Sequence, residues 1–317
     1  MVIEYYKVNN YYMNKLRKAF NLLLKSPFEF IAGCIRHMPR LVSDKCYVKL
    51  QYKDALGFFP DLDNPKTFSE KIQYLKLYDR NPLYTKMVDK VTVKEYVKNI
   101  IGEEFIIPTL FVWDNPDDID YTNLPNKFVL KCNHTGGGSV YICKDKEKFD
   151  FNTAINRIKK QLRTDTFINT REWPYKNIKR KVFCEQYMED ISGDLIDYKF
   201  FCFGGKVHYC QVIKDRYREE TIDFYDSNWQ HMNFVGLATQ ENQFSNSLNP
   251  MERPENFDKM LNIAERLASN LKFVRVDLYN IQGKIYFGEL TFYPASGNGT
   301  FFPSEWDLKL GNLLTLQ

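Results

Sequence analysis

Three pairs of strand-like runs, each joined by a short connection that contains glycine, limit what this chain can become. Residues 127–132 and 140–143 flank His134-Thr135-Gly136-Gly137-Gly138-Ser139. Residues 196–203 and 206–213 flank Gly204-Gly205, and residues 273–279 and 284–290 flank Asn280-Ile281-Gln282-Gly283. Connections this short join antiparallel neighbours, because a parallel pair needs a crossover of a dozen residues or more. Further strands are expected at 105–112, broken by Pro108, and at 181–188. The fold class is therefore α+β with antiparallel sheets.

Helical periods fall between these runs. Phe68, Ile72 and Leu75 share a face over 67–78, with Thr67 or Ser69 and Glu70 as a start signal. Asp89 reads as the N-cap of a helix carrying Val93, Tyr96, Val97, Ile100 and Ile101, which Gly102 ends. Another helix is expected from Asn152 (Ala154, Ile155, Ile158, Leu162). Pro254 is expected to open a further helix with an apolar stripe of Phe257, Met260, Leu261, Ala264, Leu267, Ala268 and Leu271. At 317 residues the chain exceeds what one core usually fills. The charge of residues 1–50 sets them off as an N-terminal arm, and further regions are expected at 51–112, 113–188 and 189–317.

A hydrophobic share of 44% beside 26% charged residues excludes a disordered chain. The net charge of +4 is too small to argue for nucleic acid. Residues 1–50, however, carry nine Lys or Arg against Glu4, Glu29 and Asp44. That stretch reads either as a solvated helical arm or as an arm drawn to an anionic membrane surface or partner. The apolar stretch from Phe20 to Ile35 is interrupted by Lys25, Pro27 and Glu29, and no run approaches the ~20 residues of a membrane span. A cytoplasmic protein, peripheral at most to the inner membrane face, is expected. The seven cysteines are odd in number and lack a C-x-x-C pair, so buried reduced thiols are expected rather than zinc or disulfides.

The last strand pair carries charges where a core strand should have none. Arg275, Asp277 and Tyr279 alternate with Val274, Val276 and Leu278, and Ile285, Phe287, Glu289 and Thr291 are expected on one face of the partner strand. If the two special faces coincide, the hairpin presents an arginine, two carboxylates and an apolar shelf. Carboxylates are hard oxygen ligands that suit Mg2+ and leave room for phosphates. Alone, the same set is a salt-bridge cluster on a wet sheet. Lys131 before Gly136-Gly137-Gly138-Ser139 could hold phosphate oxygens, although a glycine hairpin is also a common surface loop. Glu185-Gln186-Tyr187-Met188 closes a strand where backbone could pair with a planar base. Asp197 and Lys199 lie two apart on the next strand, an acid and a base on one face.

In this order, and with Asp89-Lys90, Thr67-Phe68-Ser69-Glu70-Lys71-Ile72, Asp197-Tyr198-Lys199-Phe200, Phe273-Val274-Arg275-Val276-Asp277 and Gly288-Glu289-Leu290-Thr291, the chain resembles the ATP-grasp superfamily. It is closest there to the TupA-like proteins of bacterial surface-polysaccharide biosynthesis, over about Tyr47 to Gly311. The resemblance implies an ATP-grasp fold: two α+β lobes holding ATP between antiparallel sheets, preceded by a helical N-terminal region. Residues 113–188 would be the small lobe and 189–317 the large lobe.

It further implies that Lys90 and Lys131 hold the ATP phosphates under a loop of Gly136, Gly137, Gly138 and Ser139. Glu185, Gln186, Tyr187 and Met188 would form the adenine hinge, and Asp197 would meet ribose. Lys199 and Arg275 would act in phosphoryl transfer, and Asp277, Glu289 and Thr291 would bind Mg2+. Thr291 stands where the superfamily usually has asparagine, a better metal ligand. The implied activity is ATP-dependent ligation of a carboxylate to an amine through an acyl phosphate, on small-molecule or glycan substrates. Arg216 and Arg218 are candidates for gripping the substrate carboxylate, since guanidinium forks match it. The rival reading is a glycosyltransferase, because Asp61-Leu62-Asp63 and Asp118-Ile119-Asp120 are both D-x-D.

Overall fold

A computed structural model of the protein describes residues 24, 33, 39–136, 140–190, 195–214, 220–239 and 244–316. Most of the basic arm, the Gly137-Gly138-Ser139 tip and the segment with Arg216 and Arg218 lie outside the described residues. In chain order the helices and first strands are α1 (Asp44–Leu56), α2 (Phe68–Tyr78), α3 (Leu83–Val88), α4 (Val93–Ile101), β1 (Thr109–Trp113), β2 (Phe128–Cys132) and β3 (Val140–Cys143). After them come α5 (Phe151–Leu162), α6 (Thr166–Thr170), β4 (Val182–Gln186), β5 (Asp197–Phe203), β6 (Lys206–Lys214), β7 (Thr221–Asp226), β8 (His231–Met232) and β9 (Val235–Ala238). The chain closes with α7 (Phe257–Ala268), β10 (Phe273–Ile281), β11 (Lys284–Thr291), β12 (Thr300–Phe302) and α8 (Glu305–Leu313).

Two antiparallel sheets dominate. The smaller runs β1-β4-β2-β3, so β1, which straddles the expected boundary at 112, pairs with β4 and completes this sheet. One of its faces buries Phe128, Leu130, Cys132, Val182 and Cys184 against Ile155 and Ile158 of α5. The larger sheet runs β11-β10-β5-β6-β7-β8. Val274, Val276, Leu278 and Phe200 are fully buried beneath α7, whose Phe257, Met260, Ala264, Leu267 and Ala268 are inaccessible to solvent; of the expected stripe Leu261 is only half-buried and Leu271 lies past the helix end, while Ile263 joins the buried face.

The opposite face of the large sheet has two halves. Phe201, Phe203 and Phe273 are covered by Phe68 of α2, with ring centroids 5.0–6.4 Å apart. The other half holds the charged residues described below. Helix α2 is anchored by a capping box: Thr67 accepts the Glu70 N–H at 3.2 Å, and the Glu70 carboxylate accepts those of Thr67 (3.2 Å) and Lys66 (3.0 Å).

Several local expectations shift. Residues 103–105 form a 3-10 turn and the strand begins only at Thr109: Pro108 has no N–H to give the ladder, although its carbonyl accepts the Gln186 N–H at 3.0 Å. Asp89 ends α3 instead of starting α4; its carboxylate accepts the N–H groups of Val91 (2.9 Å) and Thr92 (3.4 Å), so it fixes the turn between the two helices. Helix α5 starts one residue early, because Asp150 caps Thr153. Helix α7 starts at Phe257, three residues after Pro254.

The largest correction concerns the last hairpin. Its turn is only Gln282-Gly283, both at positive φ (52° and 79°), so β10 runs on to Ile281. Asp277 pairs with Glu289 but Leu278 pairs with Phe287, which leaves Gly288 as the extra residue of a β-bulge. The bulge turns Phe287 and Ile285 into the α7-side core, 4% and 2% exposed, while Glu289 and Thr291 stay on the charged face. The expected apolar shelf beside Glu289 is therefore core. A larger residue is crowded at the bulge, since a Cβ there would stand 3.0 Å from the Asp277 carbonyl oxygen and 3.3 Å from the Tyr279 ring, so the neighbours would have to shift. Gly288→Ala should cost about 1–3 kcal/mol through overpacking; an unchanged urea-unfolding midpoint would contradict this account.

Candidate active site

Strand register gathers most of the predicted residues. Asp277 lies opposite Glu289 on one side and Lys199 on the other, and Arg275 lies opposite Thr291. Directly opposed residues project from the same face, so the three strands present one charged surface. Arg275 grips Asp277 bidentately, at 2.7 Å from Nε and 2.7 Å from Nη2. The same Nη2 reaches Glu289 at 3.2 Å and the Thr291 hydroxyl at 3.1 Å. Lys199 contacts the Asp277 carboxylate directly and lies 3.8 Å from Asp197. Asp197, Lys199 and Asp277 are 4%, 7% and 2% exposed, a degree of burial at which charged groups are held only when paired.

Lys90 connects this surface to the smaller sheet. Its ammonium lies 3.2 Å from Glu289, and its peptide N–H donates to the Asn133 carbonyl at 3.1 Å. Asn133, fully buried just beyond β2, is itself fixed: its side chain accepts the Lys181 N–H at 2.7 Å and donates to the Lys179 carbonyl at 3.0 Å. The loop carrying Lys90 is thus tied to the end of the strand that carries Lys131.

On the smaller sheet Lys131 and Glu185 share the face away from α5. The two Glu185 oxygens each take one ammonium, Lys131 at 2.5 Å and Lys94 at 2.5 Å. Lys94 also donates to the Ile107 carbonyl (2.8 Å) and the Thr109 hydroxyl (2.6 Å), which leaves it fully committed. Sequence alone assigns no role to Lys94, and Asn133 enters only within the motif Lys131-Cys132-Asn133-His134.

Burial alone would raise the Glu289 carboxyl, but Lys90, Arg275 and Lys199 outweigh it and hold it well below the usual carboxylate range. Glu185 behaves alike: burial opposes ionisation, and Lys131 and Lys94 restore it. Across both sheets five cations (Lys90, Lys94, Lys131, Lys199, Arg275) face four carboxylates (Asp197, Asp277, Glu289, Glu185). A polyanion could take over those cations, and its release of Asp277 and Glu289 would expose two opposed carboxylates and a hydroxyl. That oxygen donor set suits Mg2+. No group of three or more His, Cys, Asp and Glu side chains is clustered for a metal among the described residues.

The strand-end segment is arranged differently from expectation. Strand β4 lies between β1 and β2, so its backbone is already paired through Gln186, and the Glu185 side chain is spent on the two lysines. Only Tyr187 and Met188 lie beyond the ladder; the Tyr187 ring sits 5.8 Å from the Lys127 ammonium and 6.0 Å from that of Lys144. Val140 and Ile142 of β3 share the Lys131 face and are 43% and 40% exposed, so an apolar surface beside the charges exists on this sheet. Gly136 leads from Lys131 towards the tip.

Both D-x-D triplets serve as turn formers. Asp61 accepts the N–H groups of Asp63 (3.1 Å) and Asn64 (2.9 Å), and Asp120 accepts that of Thr122 at 2.9 Å. These are Asx-type turns, and they account for the acids without a nucleotide sugar. The described cysteines are free thiols, all buried except Cys46. Among the described residues no helix is long and apolar enough to cross a membrane.

The family model of TupA-like ATP-grasp proteins matches residues 70–315. Among solved structures the chain is similar to D-alanine–D-alanine ligase from Bacillus anthracis complexed with ATP, at 16% identity over 65% of this chain and 53% of that one, with a TM-score of 0.37. It is also similar to the corresponding ligase from Helicobacter pylori (15% identity, 78% and 69%, TM-score 0.41) and to a RimK domain ATP-grasp protein from Sphaerobacter thermophilus (11%, 72% and 68%, 0.39). The chain spans about half the length of the first of these, and TM-scores this far below 0.5 decide nothing about the site. No curated protein matches the chain.

Proposed function

The chain belongs to the TupA-like ATP-grasp family, and on that premise we propose that it is an ATP-dependent carboxylate–amine ligase that joins an amino acid or peptide to a bacterial surface polysaccharide or its precursor. The observation that carries this reading is the single charged surface of Arg275, Asp277, Glu289, Lys199 and Lys90, tied to the end of the Lys131 strand through the Lys90 N–H and the Asn133 carbonyl.

A carboxylate resists amine attack because its leaving group is poor. Its oxygen attacks the γ-phosphorus, the bond to ADP breaks, and a mixed anhydride forms; the amine nitrogen then attacks the carbonyl carbon and phosphate leaves. Lys131, from the smaller sheet, and Lys90, from the turn between α3 and α4, bind phosphate oxygens. Arg275, prepositioned by Asp277, meets the charge that builds on the transferring group, where such preorganisation counts most. Lys199 sits behind Asp277 and sets its orientation. Mg2+, held by Asp277 and Glu289 with Thr291 beside them, would neutralise phosphate charge when bound.

The test is ADP release from Mg-ATP with D-glucuronate or D-galacturonate and a panel of amino acids. Release that requires both a carboxylate and an amine is expected. Release of a nucleoside diphosphate from a nucleotide sugar, with ATP untouched, would replace this reading with a glycosyltransferase.

A further inference from the structure

The row of residues that begins at Glu289 continues past Lys199. Glu289 lies opposite Asp277, Asp277 opposite Lys199, Lys199 opposite Gln211 and Gln211 opposite Phe224, on the successive strands β11, β10, β5, β6 and β7. Directly opposed residues project from one face, so Gln211 stands beside Lys199 on the charged surface, with its backbone about 5 Å from that of Lys199 and about 10 Å from that of Asp277. Phe224, the next in the row, is fully buried and stacks under Phe234 with ring centroids 4.2 Å apart. Gln211 therefore stands where the charged surface meets an apolar wall.

Gln211 is 2% exposed, yet its side chain makes no hydrogen bond among the described residues. The small exposed remainder lies on the amide, since neither its oxygen nor its nitrogen is one of the sealed, unpartnered polar atoms of the interior. A glutamine that holds a fold together looks different. Gln73, 0% exposed, donates to the carbonyls of Ser296 (3.1 Å) and Gly297 (2.9 Å) and to the Asn298 side chain (2.7 Å). Leaving an amide unpaired at the depth of Gln211 destabilises the folded chain, and a bound group that completes it offsets that loss. The neighbouring cations are committed already: Lys199 and Arg275 to Asp277, and Lys90 to Glu289.

We propose that Gln211 receives the carboxylate substrate: its amide N–H donates to one carboxylate oxygen while the other oxygen attacks the γ-phosphorus. The new O–P bond forms as the bond to ADP breaks, and Gln211 keeps its protons throughout. The surroundings select a carboxylate over an amine, because the Lys199 ammonium draws the amide oxygen to its own side, turns the NH2 outward and meets an ammonium ligand as a like charge. A neutral donor also fixes the carboxylate without pairing off the charge that makes it a nucleophile, as a lysine or arginine at this place would do. One strand beyond Lys199, the carboxylate lies next to a phosphate held through Mg2+ at Asp277 and Glu289. The inference rests on the ligase reading above and names the contact its carboxylate makes.

The experiment uses the full chain saturated with Mg2+ and AMP-PNP, with saturation-transfer NMR against D-glucuronate, D-galacturonate and the N-acetyl amino acids, each beside its methyl ester. Saturable binding is expected for at least one free carboxylate and is expected to be absent for its ester, which lacks the charge. Gln211→Met keeps the volume and removes the donors; it should weaken that binding by about tenfold or more, the loss of one hydrogen bond to a charged group. The same variant should keep AMP-PNP binding and the urea-unfolding midpoint of the wild type, since no hydrogen bond within the fold is lost. Gln211→Glu keeps the shape and adds a repelling charge, and it should abolish carboxylate binding. Absence of carboxylate binding, equal binding of the ester, unchanged affinity in Gln211→Met, or a marked fall in its urea midpoint, the sign of a structural amide, would each overturn the assignment. The ester comparison is made on the wild-type chain and so does not depend on a variant folding. AMP-PNP binding in the same samples separates the two failures: a wild-type chain that does not bind it takes down the ligase reading itself, whereas one that binds it and ignores Gln211 takes down only this contact.

Discussion

Glu289→Gln is expected to lower carboxylate-dependent ADP release by about two to three orders of magnitude, the size of effect seen when a preorganised electrostatic contact to a transition state is removed. The amide keeps the shape of the side chain and can still meet Arg275 and Thr291 through its oxygen. It loses the negative charge that holds Lys90 at 3.2 Å and that would face a divalent cation opposite Asp277. Stability should change little by comparison, since the Glu289 side chain is 37% exposed and solvent screens its pairs. The relevant pair of measurements is therefore steady-state ADP release and the urea midpoint. Because the folded pKa of Glu289 is depressed, its contribution to stability is present above the unfolded value of about 4.3 and is lost as pH falls through the folded one. Its ionisation should leave no inflection in activity above pH 5. A variant that keeps near-wild-type turnover at saturating Mg-ATP would remove Glu289 from the site.

Much of this arrangement was legible because strand alternation is a strict period of two. Arg275 and Asp277 had to share a face, and a short glycine turn had to return β11 beside β10. The three hairpins, the stripe of α7 and the Thr67–Glu70 cap likewise follow from local chemistry that tertiary packing did not override. Phe287 was misplaced for the same reason that Arg275 was placed: alternation carried past Gly288 gives the wrong face, and a lone glycine in a strand does not by itself announce a bulge. Asp89 was ambiguous because its backbone N–H closes α3 while its carboxylate accepts the N–H groups that follow, as an N-cap would. Glu185 was read through its backbone, whereas its role depends on Lys94 and Lys131, 91 and 54 residues away in sequence. Pairings of that range are set by sheet order, and the order β1-β4-β2-β3 is not written in any local pattern.

Glu185→Ala should destabilise the smaller lobe by about 3–5 kcal/mol, the cost of removing one partner from a buried ion pair. The carboxylate is 7% exposed and receives two ammonium groups at 2.5 Å each; without it Lys94, at 15% exposure, faces Lys131 with no counter-charge between them. Like charges at that range repel in a poorly screened setting, and Lys94 cannot swing to water without leaving the Ile107 carbonyl and the Thr109 hydroxyl. Those two contacts hold the start of β1 to α4, so the loss should spread to the edge of the sheet. Glu185→Gln should cost less, since the amide oxygen can still accept from one lysine. The double variant Glu185→Leu/Lys94→Met should recover part of the deficit by removing the stranded charge together with its partner. The pH dependence has a fixed sign: the folded pKa of Glu185 is lowered, so its stabilisation is present above about pH 4.3 and disappears as pH falls through the folded value. Urea unfolding at pH 7 and at pH 4 tests both statements. If Glu185→Ala shifts the midpoint no more than an exposed carboxylate would, the lysines are not held by this acid; Lys131 would then have to be positioned for a nucleotide by something else.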